Sequence, residues 1–255
     1  MNTLLEDIKR IEFDEIDYHK LSECYFQVVE GNIPILISAP HGARHLRPEI
    51  KAGKVVSVWK EEDEYTAALV IELGRLTEAH IIYVKNKTIE DSNFEEVTEY
   101  KRAVRDIIDK HGIKFLADIH GADEDNEFDV DVGIISERDT ECSCPIMKPT
   151  IEECFKGFRK PLFNQKFSGA STGTVTYFAS KVCGIEAAQF EINAKYRIVE
   201  RKPDSSKALL NIRPDFKAEE KNVLKMLKKL EKMIIAIAKK AWTEEYATRR
   251  HYRGN

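Results

Sequence analysis

The sequence predicts an α/β protein of three layers, with a mixed, largely parallel central sheet between helices. Two observations carry that expectation. Short apolar runs rich in β-branched residues alternate with longer stretches of helical periodicity. Two of those runs, Ile35–Ile37 and Phe115–Ile119, are almost continuously apolar, as central strands covered on both faces must be. A chain of 255 residues is long enough for one large core, and it carries no internal repeat or low-complexity linker. One domain spanning 1–255 is expected.

Taken in order, Tyr25–Val29 and Ile35–Ser38 read as paired strands joined through a Gly31-Asn32 turn. Tyr65, Leu69, Leu73 and Leu76 then recur at helical spacing, and His80–Lys85 reads as a strand. Val97, Tyr100, Val104, Ile107 and His111 mark a second helix that Gly112 would close. Phe115–His120, Val130–Ser136 and Ala187–Asn193 supply further strands. Between the last two, residues 137–173 show weak periodicity and contain Pro145, Pro149 and Pro161. They are expected to form either a lid or excursion over the active face or plain surface packing. The clearest stripe is the last: Val223, Leu227, Leu230, Ile234, Ile237 and Ala241 share one face of a C-terminal helix, with Asp215 as its expected cap.

Composition narrows the function. A formal net charge of −4 argues against a nucleic-acid partner, which needs a basic face. The basic run Lys225–Lys232 shares a helix with the apolar stripe and reads as its solvated side, and Arg249–Arg253 lies at the C-terminus. No apolar run approaches the roughly 20 residues that span a bilayer, so no membrane partner is expected. Met1–Arg10 matches neither a signal nor a transit peptide, which makes the cytoplasm the expected location. Five cysteines, an odd number, fit poorly with a disulfide framework. Cys142 and Cys144 are one residue short of the C-x-x-C spacing, so the cysteines read as reduced and structural.

The chemistry should gather at the carboxyl ends of the strands. Ile35–Ser38 runs into Pro40-His41-Gly42-Ala43-Arg44-His45, and Phe115–Ile119 into His120-Gly121. Each places a histidine at a strand end with glycine after it, where the backbone can approach closely. Alternation puts Asp118 on the face of His120, either to support the site from behind or to hold the adjacent loop. Two histidines in one context suggest a metal. A catalytic zinc takes three protein ligands and leaves a position for water. The third ligand falls to Asp63 or Glu64, at the start of the Tyr65–Leu76 helix, with His45 as the competitor.

Pro40-His41-Gly42, Asp63 with Thr66, Asp91-Ser92-Asn93, Asp118-Ile119-His120-Gly121 and Gln189-Phe190-Glu191 occur in an order that resembles the N-formylglutamate amidohydrolase family. These enzymes are distant relatives of zinc carboxypeptidases and aspartoacylase. The likeness runs from about Ile35 to Arg197 and rests on the number and order of short motifs. It implies a zinc carboxypeptidase-like fold, with one Zn2+ or another divalent ion on His41, His120 and an acid. Asp63 is preferred over Glu64, because Asp63-Glu64-Tyr65-Thr66 is similar to the family's acid-then-threonine helix start. Glu191 would be the catalytic carboxylate. The chain departs from the family at His41-Gly42-Ala43-Arg44, where His-Ser-Gly is usual, and at Phe94, where an arginine often follows the asparagine.

The expected reaction is hydrolysis of the amide of an N-acylated amino acid such as N-formylglutamate. Glu191 would take a proton from water and pass it to the departing nitrogen. Arg197 and Arg44 offer planar forks for a substrate carboxylate, and Asn93 a hydrogen bond to the substrate or a cap for the following helix. The rival readings are a peptidase-like hydrolase of a peptide or cell-wall fragment, and a binding protein that keeps the fold without catalysis.

Overall fold

A computed structural model describes residues 3–135, 144–159, 162–201 and 215–252, with 242–252 as helical backbone. The chain opens with α1 (Thr3–Glu15), β1 (Asp17–Leu21), β2 (Phe26–Val29) and β3 (Ile33–Ala39). A hairpin of β4 (His45–Lys51) and β5 (Lys54–Lys60) leads into α2 (Thr66–Thr77), β6 (Ala79–Val84) and β7 (Asn86–Lys87). There follow α3 (Glu99–His111), β8 (Phe115–Ala122), β9 (Val130–Gly133), α4 (Met147–Cys154), α5 (Val175–Tyr177), β10 (Glu186–Asn193) and α6 (Glu220–Tyr252).

Six strands form the main sheet in the order β2-β6-β3-β8-β10-β9. The four inner strands run parallel, while β2 and β9 close the edges antiparallel. This is the predicted mixed, mostly parallel sheet. Alternation divides each inner strand between two cores. Ile35 and Ile37 of β3, Ala117 and Ile119 of β8, and Phe190 and Ile192 of β10 pack on the side of α1, α2, α4 and α6. Leu36, Leu116 and Ala187 pack on the other side, against Tyr100, Val104 and Ile107 of α3 and Val175 of α5. Towards the carboxyl ends this second face turns polar, with Ser38, Asp118, His120, Gln189 and Glu191 all buried. The polar side chains that β8 and β10 offer to a site therefore belong to the α3 face of the sheet.

Several expectations are corrected. β2 does not pair with β3, because β6 lies between them. The Gly31-Asn32 turn is bound to the start of β6 instead: Gly31 N donates to His80 Nδ1 at 3.1 Å and Asn32 N to Glu78 O at 2.7 Å. Val97 stands outside α3 and is 67% exposed; Thr98 caps that helix by accepting from Lys101 N. Asp215 does not cap α6, which begins five residues later, at Glu220. The strand expected over Val130–Ser136 ends at Gly133, and Ser136 lies outside the described residues. Of the 137–173 excursion, 137–143, 160 and 161 also lie outside them, and the remainder contains α4, packed on α6.

Cys24, Cys144, Cys154 and Cys183 are thiols. Among the described residues, no helix is long and apolar enough to cross a membrane.

Candidate metal centre

The end of β3 and the end of β8 lie side by side, so His41 and His120 meet, their ring centroids 5.0 Å apart at 77°. The glycine after each histidine permits a close approach. A Cβ on Gly42 would fall 2.3 Å from Val84 O and 2.8 Å from Ala67 Cβ, where the loop squeezes between β6 and α2. A Cβ on Gly121 would fall 2.5 Å from Arg197 Cζ. A larger residue at Gly42 would force backbone apart, and one at Gly121 would press on the Arg197 guanidinium.

Asp63 completes the group. Its N–H donates to His41 O at 2.8 Å, and its carbonyl accepts from both Thr66 N and Thr66 Oγ1. That leaves the carboxylate as the part of the residue that points inward, with Oδ2 3.5 Å from His41 Nδ1 and 3.4 Å from His120 Nδ1. The other nitrogen of each ring is held from behind. His41 Nε2 meets Asp91 Oδ1 at 3.0 Å, and His120 Nε2 meets Asp118 Oδ2 at 3.1 Å. With Nε2–H given to a carboxylate, each ring would offer its Nδ1 lone pair to one shared space once a cation displaces the Nδ1 proton.

The donor set fits a divalent cation. One atom each from His41, Asp63 and His120 lies within 4.8 Å of the others, and imidazole with carboxylate suits zinc. The electrostatics agree. Burial disfavours charge on His41, yet Asp91 and Asp63 outweigh it and raise its pKa to about 9. Burial likewise opposes charge on His120, and Asp118 and Asp63 hold its pKa well above the usual value. Burial would raise Asp63, but the two histidines hold it well below the ordinary carboxylate range. Three carboxylates enclosing two imidazoles make a space that demands positive charge.

Glu191 stands directly opposite His120 in the parallel β10–β8 register. Burial lifts its pKa to about 7, with the charge of His120 opposing the rise. A carboxyl poised near neutrality is suited to carry a proton in both directions.

The remaining sequence candidates are placed differently. Glu64 does not face the histidines: both of its carboxylate oxygens accept from Arg201 Nε, at 2.8 and 2.9 Å, and Oε2 also accepts from Nη2 at 2.6 Å. His45 lies behind His41 rather than beside Asp63, its ring stacked on it at 4.1 Å and 6°. Burial and the neighbouring charge of His41 lower its pKa to about 3, so it is neutral. Arg197 is buried, and its guanidinium donates to the carbonyls of Ile192, Glu64 and Ala122, bracing the loops after β10, β8 and before α2. Arg44 pairs with Glu62 at 3.0 Å. Asn93 Oδ1 accepts from Val175 N at 2.9 Å, tying its loop to α5 rather than capping α3.

Sequence reasoning gave Asp91 no contact with His41, and it missed Arg47 altogether. Asp91 is fully buried and gathers His41, His45 Nε2 at 3.4 Å, and Arg47 Nε. Arg47 arrives on the β4–β5 hairpin. Its signal was present in the Ala52-Gly53 turn, where both residues have positive φ, flanked by Leu46–Ile50 and Val55–Trp59.

The mixed sheet between two helical layers has the fold of carboxypeptidase-like and N-formylglutamate amidohydrolase structures. One such structure is the N-formylglutamate amidohydrolase from Ralstonia eutropha JMP134, with TM-score 0.50 and 11% identity, covering 85% of this chain and 97% of that one. Another is a gene product of Agrobacterium tumefaciens, with TM-score 0.52 and 9% identity, covering 88% and 99%. A third is a carboxypeptidase A-type protein from Shewanella denitrificans OS-217, with TM-score 0.51 and 12% identity, covering 92% and 68%. No family model and no curated protein matches the sequence. At these identities the likeness is one of fold.

Proposed function

We propose that the chain is a metal-dependent amidohydrolase, using zinc or another divalent ion, that cleaves the amide of a small N-acylated amino acid such as N-formylglutamate in the cytoplasm. The observation that carries this reading is the convergence of His41 Nδ1, His120 Nδ1 and Asp63 Oδ2, with Glu191 across the strand from His120. His41, His120 and Asp63 would hold the ion. When bound, it supplies Lewis acidity towards the amide oxygen and lowers the pKa of water.

The chain's own residues account for the rest. Asp91 and Asp118 fix the orientation and tautomer of the two imidazoles through Nε2. Glu191 Oε accepts a proton from the attacking water and returns it to the amide nitrogen as the C–N bond breaks, so that the amine leaves neutral. Burial of Glu191, 6% exposed, keeps bulk water from competing for that proton. Arg197 braces the loops that carry these groups.

The test combines metal analysis of the purified protein with assays of amine release from N-formyl- and N-acetyl-amino acids and from short peptides. About one equivalent of metal and release from acyl amino acids are expected. In Glu191→Gln the metal should stay while the rate falls on the order of 10²- to 10⁴-fold. Cleavage of peptides alone would replace the substrate class, and failure to retain a metal would overturn the reading.

A further inference from the structure

Three arginines stand next to the site, and the partner of each guanidinium sets what it can do. Arg197 is buried against three backbone carbonyls, whereas Arg44 and Arg47 each bind one carboxylate through Nε and keep 29% side-chain exposure; Arg44 binds Glu62, and Arg47 binds Asp91, the carboxylate that also holds His41. Arg47 touches Asp91 through Nε. Among the described residues no acceptor lies on either Nη. Its side chain keeps 29% of its exposure, so it is not sealed in the core.

The surroundings hold that fork still. Asp91 is fully buried and is itself fixed by His41 Nε2 on its other oxygen, which sets the guanidinium one carboxylate away from the imidazole of His41. The ring of Phe94 lies 5.3 Å from Arg47 Cζ and limits its swing. The backbone of the hairpin root is bound in turn: Leu46 N donates to Thr88 O at 3.1 Å, and Thr88 N to Arg44 O at 2.9 Å. A planar donor pair, anchored on one edge and open on the other, is suited to a bidentate carboxylate.

Resting on the hydrolase reading above, we propose that Arg47 is the specificity residue of the site. Held by Asp91 at Nε, it presents its Nη pair to a carboxylate of the substrate and so selects anionic acyl amino acids over neutral ones. The β4–β5 hairpin is then the carrier of that selectivity, Arg197 serves the scaffold, and Arg44, held by Glu62 instead of Asp91, is the comparison that the experiment needs.

The experiment compares N-formyl-L-glutamate with its diamide on the metal-loaded wild type and on Arg47→Gln, Arg47→Lys and Arg44→Gln. In Arg47→Gln, KM for the acid should rise at least 10-fold and KM for the diamide less than 3-fold, with metal content unchanged. Arg47→Lys, which keeps a charge on Asp91 but loses the fork, should raise KM for the acid several-fold and covers the case in which the glutamine variant fails to fold. Equal effects on both substrates, carried by kcat or metal content, would mean that Arg47 acts only through Asp91 and would overturn the proposal. So would a loss of acid preference in Arg44→Gln alone. If the wild type hydrolyses neither compound the hydrolase reading falls, and calorimetric titration with N-acetyl-L-glutamate decides Arg47 separately. Binding at least 10-fold weaker in Arg47→Gln supports the assignment; equal binding or none refutes it.

Discussion

Glu12 is buried beneath the loop that presents Asp63, and replacing it with glutamine isolates what that burial does. Its Oε1 accepts from Tyr65 N at 2.6 Å and from the Tyr18 hydroxyl, while Oε2 has no hydrogen-bond partner among the described residues. Tyr65 has φ 66° at the start of α2, so this carboxyl sits under the one left-handed residue between Asp63 and Thr66. Burial raises the Glu12 pKa from 4.5 to about 8. Below pH 4.5 native and unfolded chains both hold the proton, and Glu12 adds no pH dependence. Above it the unfolded chain releases the proton while the native chain keeps it, so stability falls with rising pH until about pH 8. Each pH unit in that window removes about 1.4 kcal/mol, a ceiling of about 5 kcal/mol, and water reaching the native carboxylate would trim this to about 2–3 kcal/mol. Urea unfolding of wild type and Glu12→Gln at pH 5, 6, 7 and 8, with a chelator present, reads the difference directly, because the other titrating groups cancel. The glutamine variant should gain on the wild type steadily across the series. Parallel stability curves would refute the reasoning.

Asp118→Asn should leave the fold intact and weaken metal binding about 10- to 100-fold, measured by competition with a chromogenic chelator, because His120 loses the anion on Nε2. Unchanged affinity would remove Asp118 from the site. Gly121→Ala should destabilise by about 2–3 kcal/mol, since its methyl group meets the Arg197 guanidinium and dislodges it from buried carbonyls. A urea midpoint equal to that of the wild type would show that the loop gives way at no cost.

Much of the core was legible because local pattern and tertiary environment agree. The continuous apolar runs at Ile35 and Phe115 became central strands, β3 and β8, and alternation correctly put Asp118 and His120 on one face. Asp63 could be ranked above Glu64 only by resemblance; what separates them is the Asp63–Thr66 turn, which points one acid inward and leaves the next for Arg201. Strand order was not legible: a short turn at Gly31-Asn32 fits a hairpin, and nothing local reveals that β6, some 50 residues on, will separate the two strands. Asp91 was hidden in the same way, since its partner His41 lies 50 residues before it. The partners of Arg197 were not legible either, because guanidinium suits backbone carbonyls as well as carboxylates and its burial against the former is a tertiary feature.

The residue-for-residue pairing of β8 with β10, from Phe115–Glu186 to Ala122–Asn193, has a consequence for how this protein can vary in length. The distance from His120 to Glu191 is set by a hydrogen-bonded ladder and not by a loop, so the sheet acts as a ruler. Inserting or deleting a single residue within Leu116–Gly121 or Ala187–Glu191 would turn an acid or a histidine through the sheet and into the opposite, apolar core. The Ala52-Gly53 tip of the hairpin is under no such constraint. Lineages of this chain should therefore differ in length at that tip and keep these two strands at constant length, a pattern that reports the location of the chemistry without any assay.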